Sequence, residues 1–142
     1  MRYWSMLCAV CLVAVLTTSA GAYPQFYAVF KKEYLDTMKD KKAAEEFGKG
    51  DVKCLICHQG KSQKKVRNDF GVITQKFLTK KDMKNPEKIS EGLKKAFAMH
   101  VDPKNDKSET YLERLNKGQW PGGKLEDLKK DPPKKEGDAK KE

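Results

Sequence analysis

The chain has 142 residues, 38% of them hydrophobic and 35% charged, with a formal net charge of +10. That length holds one ordinary domain. Two of its four cysteines sit inside an N-terminal apolar run, so the remaining close pair excludes a disulfide-framework protein.

Residues 1–22 read as a secretory signal. Arg2 gives a short positive start, residues 6–16 form an apolar run, and Ala20-Gly21-Ala22 is an A-x-A cleavage site. The run is shorter than the ~20 residues a membrane span needs, so no stable membrane insertion is expected after cleavage. Cys8 and Cys11 leave with this segment, and the mature chain keeps Cys54 and Cys57. Cleavage removes one positive charge, Arg2, and no acid, so the formal charge falls from +10 to +9. Such a surface suits encounter with acidic protein partners at low ionic strength, or plain solvation. An exported chain without an aromatic–basic binding motif is not expected to bind nucleic acid.

The mature domain is expected over 23–123, all-α. Phe26, Phe30, Tyr34 and Met38 recur every four residues and predict a helix over 25–39. Residues 43–47 add a turn or two, ended by Gly48 and Gly50. Asp51 can cap a short helix running to His58, with Gly60 as its stop and the polar run 61–65 as a solvated loop. Val66, Phe70, Ile73 and Phe77 predict a helix over 66–78. Gly71 interrupts it at a cost of about 1 kcal/mol relative to Ala. Either the backbone there approaches a large flat group, or the helix is kinked.

Residues 79–84 read as a basic connector. Asn85-Pro86 is a helix start, with Asn as N-cap and Pro in the first turn. That helix is expected to reach His100 or Val101, because Pro103 disfavours helical geometry at Asp102. Ser108 can cap a last helix over 109–117, with Tyr111, Leu112 and Leu115 inward and Gly118 as terminator. Trp120, in the loop 119–123, is placed to cover the core. Residues 124–142 are highly charged, contain Pro132-Pro133, and are expected to form a disordered tail.

The chemistry concentrates in Cys54-Leu55-Ile56-Cys57-His58. This is the C-x-x-C-H haem-attachment pattern. Two thiols one turn apart can each add to a vinyl group on the same edge of a haem, and the adjacent imidazole can ligate the iron. In these residues the chain resembles the c-type cytochromes, and over its length the small, lysine-rich, all-helical bacterial ones. Asn68-Asp69-Phe70-Gly71 resembles an element that follows the motif in many such sequences. The resemblance implies one covalent haem c, with thioethers to Cys54 and Cys57 and His58 as the proximal iron ligand. It also implies a small helical domain packed around that haem and attachment outside the cytoplasm, in the periplasm or another exported compartment.

The far side of the iron has two candidates. His100 lies 42 residues after His58. At about 100° per residue it falls within about 20° of Ile89, in the middle of the apolar face of its expected helix. Met99 falls on the edge of that face. Small monohaem cytochromes commonly use a distal Met at a similar distance downstream, which is what favours Met99. An iron left without a second protein ligand is the third possibility.

The expected function is that of an exported electron carrier, not an enzyme, passing single electrons between redox partners. The alternative is a haem enzyme or sensor with an open or exchangeable sixth position. Cys54, Cys57, His58 and His100 also make up a Cys₂His₂ count, but His58 directly follows Cys57, an awkward geometry for one tetrahedral zinc. A thioredoxin-like use of C-x-x-C would need βαβ patterning, which the chain lacks.

Overall fold

The computed structural model describes residues 24–60 and 66–132. The expected signal over 1–22, the basic loop 61–65 and residues 133–142 lie outside the described residues. What is described is mostly helical, as the patterning predicts.

Helix α1 (Pro24–Phe30) continues as a π-helical turn, Lys31–Leu35. The helix stops short of residue 39 because Thr37 folds back on it. Its hydroxyl donates to the Glu33 and Tyr34 carbonyls at 2.7 and 3.1 Å, taking acceptors that another turn would have used. α2 (Lys41–Gly48) starts at an Asp40 N-cap whose carboxylate accepts from the Ala43 N–H at 3.0 Å. The haem-motif segment follows as a 3₁₀ helix, Gly50–Ile56. Asp51 does not cap it. Lys49 holds the N-cap position without a side-chain bond, and Asp51 lies inside the first turn.

A short antiparallel ladder then interrupts the helices. β1 (His58–Gln59) pairs with β2 (Val66–Arg67) in the register His58 with Arg67 and Gln59 with Val66. Two-residue strands are too short to print an alternating pattern, so the expectation of a chain without strands is corrected here. Val66 is consequently no core residue and is 36% exposed. α3 (Asp69–Phe77) begins three residues later than the apolar spacing suggests, at an Asn68 N-cap.

Thr79 and Asp82 form a capping box for a 3₁₀ helix, Lys80–Lys84. α4 (Pro86–Ala98) starts where the sequence places it, with Asn85 Oδ1 accepting from the Lys88 N–H at 3.1 Å. It ends at Ala98, before His100. Residues 99–101 are instead drawn into pairing with 109–111: Tyr111 donates to Met99 and Val101 donates to Glu109, at 3.0 and 2.9 Å. α5 (Tyr111–Asn116) is capped by Thr110 with Glu113, not by Ser108. Gly118, at φ +71°, ends that helix. Leu112 is exposed rather than inward.

The charged tail does not begin at Lys124. α6 (Leu125–Leu128) follows it, and Leu128 is 3% exposed. Two apolar side chains, Leu125 and Leu128, are enough to bring this charged stretch onto the core. Residues 133–142 of the expected tail lie outside the described residues.

The core is organised about Phe97 on α4. Its ring lies 5.9 Å from Phe30, 4.4 Å from Tyr34 and 4.5 Å from Phe70, and Phe70 in turn lies 5.1 Å from Tyr111. Aromatic pairs at these separations add to what area burial supplies. Trp120 closes a second edge, T-shaped on Phe47 at 4.8 Å. Among the described residues no helix is long and apolar enough to cross a membrane.

Candidate functional site

The 3₁₀ helix, the β1–β2 ladder and the first turn of α3 meet around the pentapeptide. Leu55 and Ile56 point into the core and are buried, while Cys54, Cys57 and His58 are half-buried. This split follows from the sequence: the two apolar residues between the cysteines anchor the turn, and the three reactive side chains stay at its rim. Both thiols are free.

His58 has one ring nitrogen engaged. Its Nδ1 lies 3.1 Å from the Val66 carbonyl oxygen across the ladder. A carbonyl can only accept, so Nδ1 carries the proton and Nε2 is left with its lone pair. Burial pushes the imidazole below its ordinary pKa; the Val66 bond opposes this, and the Arg67 charge adds to it. The ring is therefore kept in the neutral form that a metal requires. Burial also pushes the Cys57 thiol up to about 12, against a smaller lowering by Arg67.

The backbone of the motif is held by Asn68. Its side-chain nitrogen Nδ2 donates to the carbonyls of Leu55 at 2.7 Å, Ile56 at 3.2 Å and His58 at 3.1 Å. Its Oδ1 accepts from the Gly71 N–H at 2.9 Å. Its own N–H donates to the Cys57 carbonyl at 3.1 Å. Of the two readings of Gly71, close approach is the one seen, but the partner is the Cys57 carbonyl, which a Cβ at 71 would overlap, and not a large flat group. On the other side, Gly60 donates to the Leu128 carbonyl at 2.8 Å, and Gln59 reaches Asp127. Tyr27 of α1 carries the Lys53 ammonium 5.5 Å above its ring. A groove of about 940 Å³ runs beside Tyr27 and Val52, but Cys54, Cys57 and His58 do not line it.

His100 stands outside α4, so its place on an apolar helix face is not realised. It forms an isolated antiparallel bridge with Thr110, half-buried, with Nδ1 2.5 Å from the Ser108 carbonyl oxygen. Met99 is the C-cap of α4 and packs, half-buried, against the core. Met38 is a core residue. Among the described residues no three His, Cys, Asp or Glu side chains gather closely enough to hold a metal ion between them.

The donor set fits a haem. A covalently held haem asks the protein for two free thiols one turn apart and one neutral imidazole with an open nitrogen, and the three residues meet those terms. What sequence reasoning missed was Val66, whose contribution is a backbone oxygen and leaves no mark on residue choice. Asn68 could have been found as a cap before a helical run; its bonds to the motif could not. Comparison of the chain with protein-family models, with curated proteins and with solved structures finds no match.

Proposed function

We propose that the mature chain is an exported, periplasmic monohaem c-type cytochrome that carries single electrons between redox proteins. The observation that carries this reading is the His58 geometry within C-x-x-C-H. The Nδ1–H of His58 is given to the Val66 carbonyl, and Nε2 is kept for iron. Cys54 and Cys57 would hold the haem by thioethers, and His58 would be the proximal ligand. The haem, when bound, supplies an iron that gains and loses one electron. Cys54 and Cys57 would anchor it, and the Val66 bond would orient the imidazole.

His100 is the proposed distal ligand, with Met99 as the alternative. His100 shares the feature that marks His58, an Nδ1 directed at a backbone carbonyl and an Nε2 left over. Two protein ligands suit outer-sphere transfer, because the iron need not change its coordination. The basic surface, +9 after loss of the leader, suits an acidic redox partner. An enzyme or sensor with an open sixth position is the competing reading.

The deciding experiment is expression with haem-maturation machinery, followed by a pyridine haemochrome assay on denatured protein. A covalent haem c spectrum is expected, and its absence overturns the proposal. Insensitivity of the ferrous protein to carbon monoxide would support the carrier; carbon monoxide binding would favour the enzyme or sensor. A thioether-to-iron charge-transfer band in the ferric spectrum would assign Met99 rather than His100.

A further inference from the structure

We infer that Asn68 is a positioning residue for the proximal imidazole, an inference that rests on the haem reading above. Asn68 holds every main-chain carbonyl from Leu55 to His58: those of Leu55, Ile56 and His58 through Nδ2, and that of Cys57 through its own N–H. Capping α3 requires only Oδ1, which accepts from Gly71. The amide nitrogen therefore does something a cap does not need. It is also confined. Asn68 is 3% exposed, and Gly122 of the Trp120-Pro121-Gly122-Gly123 loop lies on its amide so closely that a Cβ at 122 would overlap it. The loop shuts out water and keeps the side chain from swinging away.

The consequence is at His58. Asn68 fixes the His58 main chain, and β2, two residues upstream of Asn68, presents the Val66 carbonyl to Nδ1. One side chain thus sets the distance between an imidazole and its carbonyl acceptor. That bond raises the basicity of the ligating nitrogen. A more basic ligand favours the oxidised, more positive iron, so weakening the bond raises the midpoint potential.

Two variants separate clamp from cap. Asn68→Ser and Asn68→Thr each keep an oxygen that can accept from Gly71, add no charge, and lose the amide donors. The controls are wild type and Asn85→Ser, the same class of change at the α4 cap, remote from the motif in sequence. Midpoint potential is measured on the haem-loaded proteins, with hydrogen exchange of the His58 ring N–H followed by NMR. The expected result is a raised potential and at least tenfold faster ring N–H exchange in both Asn68 variants, with helical circular dichroism retained and Asn85→Ser like wild type. Unchanged or lowered potential with unchanged exchange overturns the inference, as does a shift that Asn85→Ser reproduces. If Asn68→Thr does not fold, Asn68→Ser alone decides. If wild type takes up no haem, the haem reading falls. The exchange measurement on the metal-free proteins then still decides the clamp, faster exchange upholding it and equal exchange overturning it.

Discussion

Gly71 and Cys57 meet main chain to main chain: the first turn of α3 lies on the Cys57 carbonyl with no room for a Cβ at 71. Gly71 has ordinary helical geometry, so its value is space and not a special φ. This reverses the usual sign of a glycine substitution. In an unobstructed helix Gly→Ala gains about 1 kcal/mol. Here Gly71→Ala should lose about 1–3 kcal/mol, because a backbone carbonyl cannot move aside as a flexible side chain can. Urea denaturation of the metal-free protein measures it. A stabilised Gly71→Ala would mean that α3 and the motif are not in contact.

The same contact illustrates what the residues could and could not foretell. The glycine's oddity inside a helical pattern was legible, but whether it marked a close neighbour or a kink was left open. The neighbour's identity was not legible, since it is a main-chain oxygen 14 residues away in sequence. The helical class, the Asn85 start, the Gly118 stop and the burial of Trp120 follow from local chemistry that side chains display. Those that failed were decided at longer range. α4 stops at Ala98 because residues 99–101 pair with 109–111, and α6 forms because Leu125 and Leu128 find a core. Of the candidate site, the C-x-x-C-H spacing is visible in the sequence, whereas Val66 and Asn68 act on main-chain atoms, which it does not display.

The two motif cysteines should differ in reactivity. Burial holds the Cys57 thiol at about 12, so almost none of it is thiolate at pH 8. Thiolate is the reactive form. Brief alkylation of metal-free, folded protein with iodoacetamide, followed by peptide mass spectrometry, should modify Cys54 at least tenfold faster than Cys57. The difference should vanish in denaturant. Equal rates in the folded protein would contradict the raised pKa of the Cys57 thiol.

The cap of α5 offers a paired comparison. Thr110 accepts from the Glu113 N–H at 3.2 Å, and Glu113 accepts in return from the Thr110 N–H at 2.7 Å. Ser108, two residues earlier, instead bonds Asp102 within the preceding turn at 3.2 and 3.3 Å. Thr110→Ala should therefore cost about 1 kcal/mol, the usual loss for a removed N-cap, and Ser108→Ala less. Thermal or urea unfolding of the two variants side by side checks the order. A larger loss at Ser108 would return the cap to the position that the sequence alone suggests.

α6 should behave as a local unit. It has four residues, too few to hold itself as a helix, so its order depends on Leu128. The Gly60 N–H bonds to the Leu128 carbonyl at 2.8 Å, which links this segment to the end of the C-x-x-C-H stretch. Leu128→Ala should cost about 2–5 kcal/mol if α6 is integral to the core. It should cost much less if the segment can open by itself, with the Gly60 amide exchanging faster in both cases. Hydrogen exchange at Gly60 with denaturation of the same variant distinguishes the two. Unchanged exchange at Gly60 would show that the contact is not maintained in solution.

Acid should weaken the fold through carboxylates near α5. Hydrogen bonds from Lys117 and Arg114, both at 2.8 Å, hold the Glu109 carboxyl below its ordinary range. The Thr110 main chain and hydroxyl do the same for Glu113. Groups with a depressed pKa in the folded state contribute stability that is present above the unfolded value, about 4.3 for Glu. That contribution is lost as pH falls through the folded value, because the unfolded chain then binds more protons. The urea midpoint should be flat from pH 7 to 5 in this respect and fall between pH 5 and 3. Both carboxylates lie at the surface, so 0.5 M salt should shrink the effect, most of all for the Glu109 ion pairs. The double variant Glu109→Gln with Glu113→Gln should flatten part of that slope while leaving the remainder to other acids. A slope identical to wild type would show that neither carboxylate is held in solution as it is in the structure.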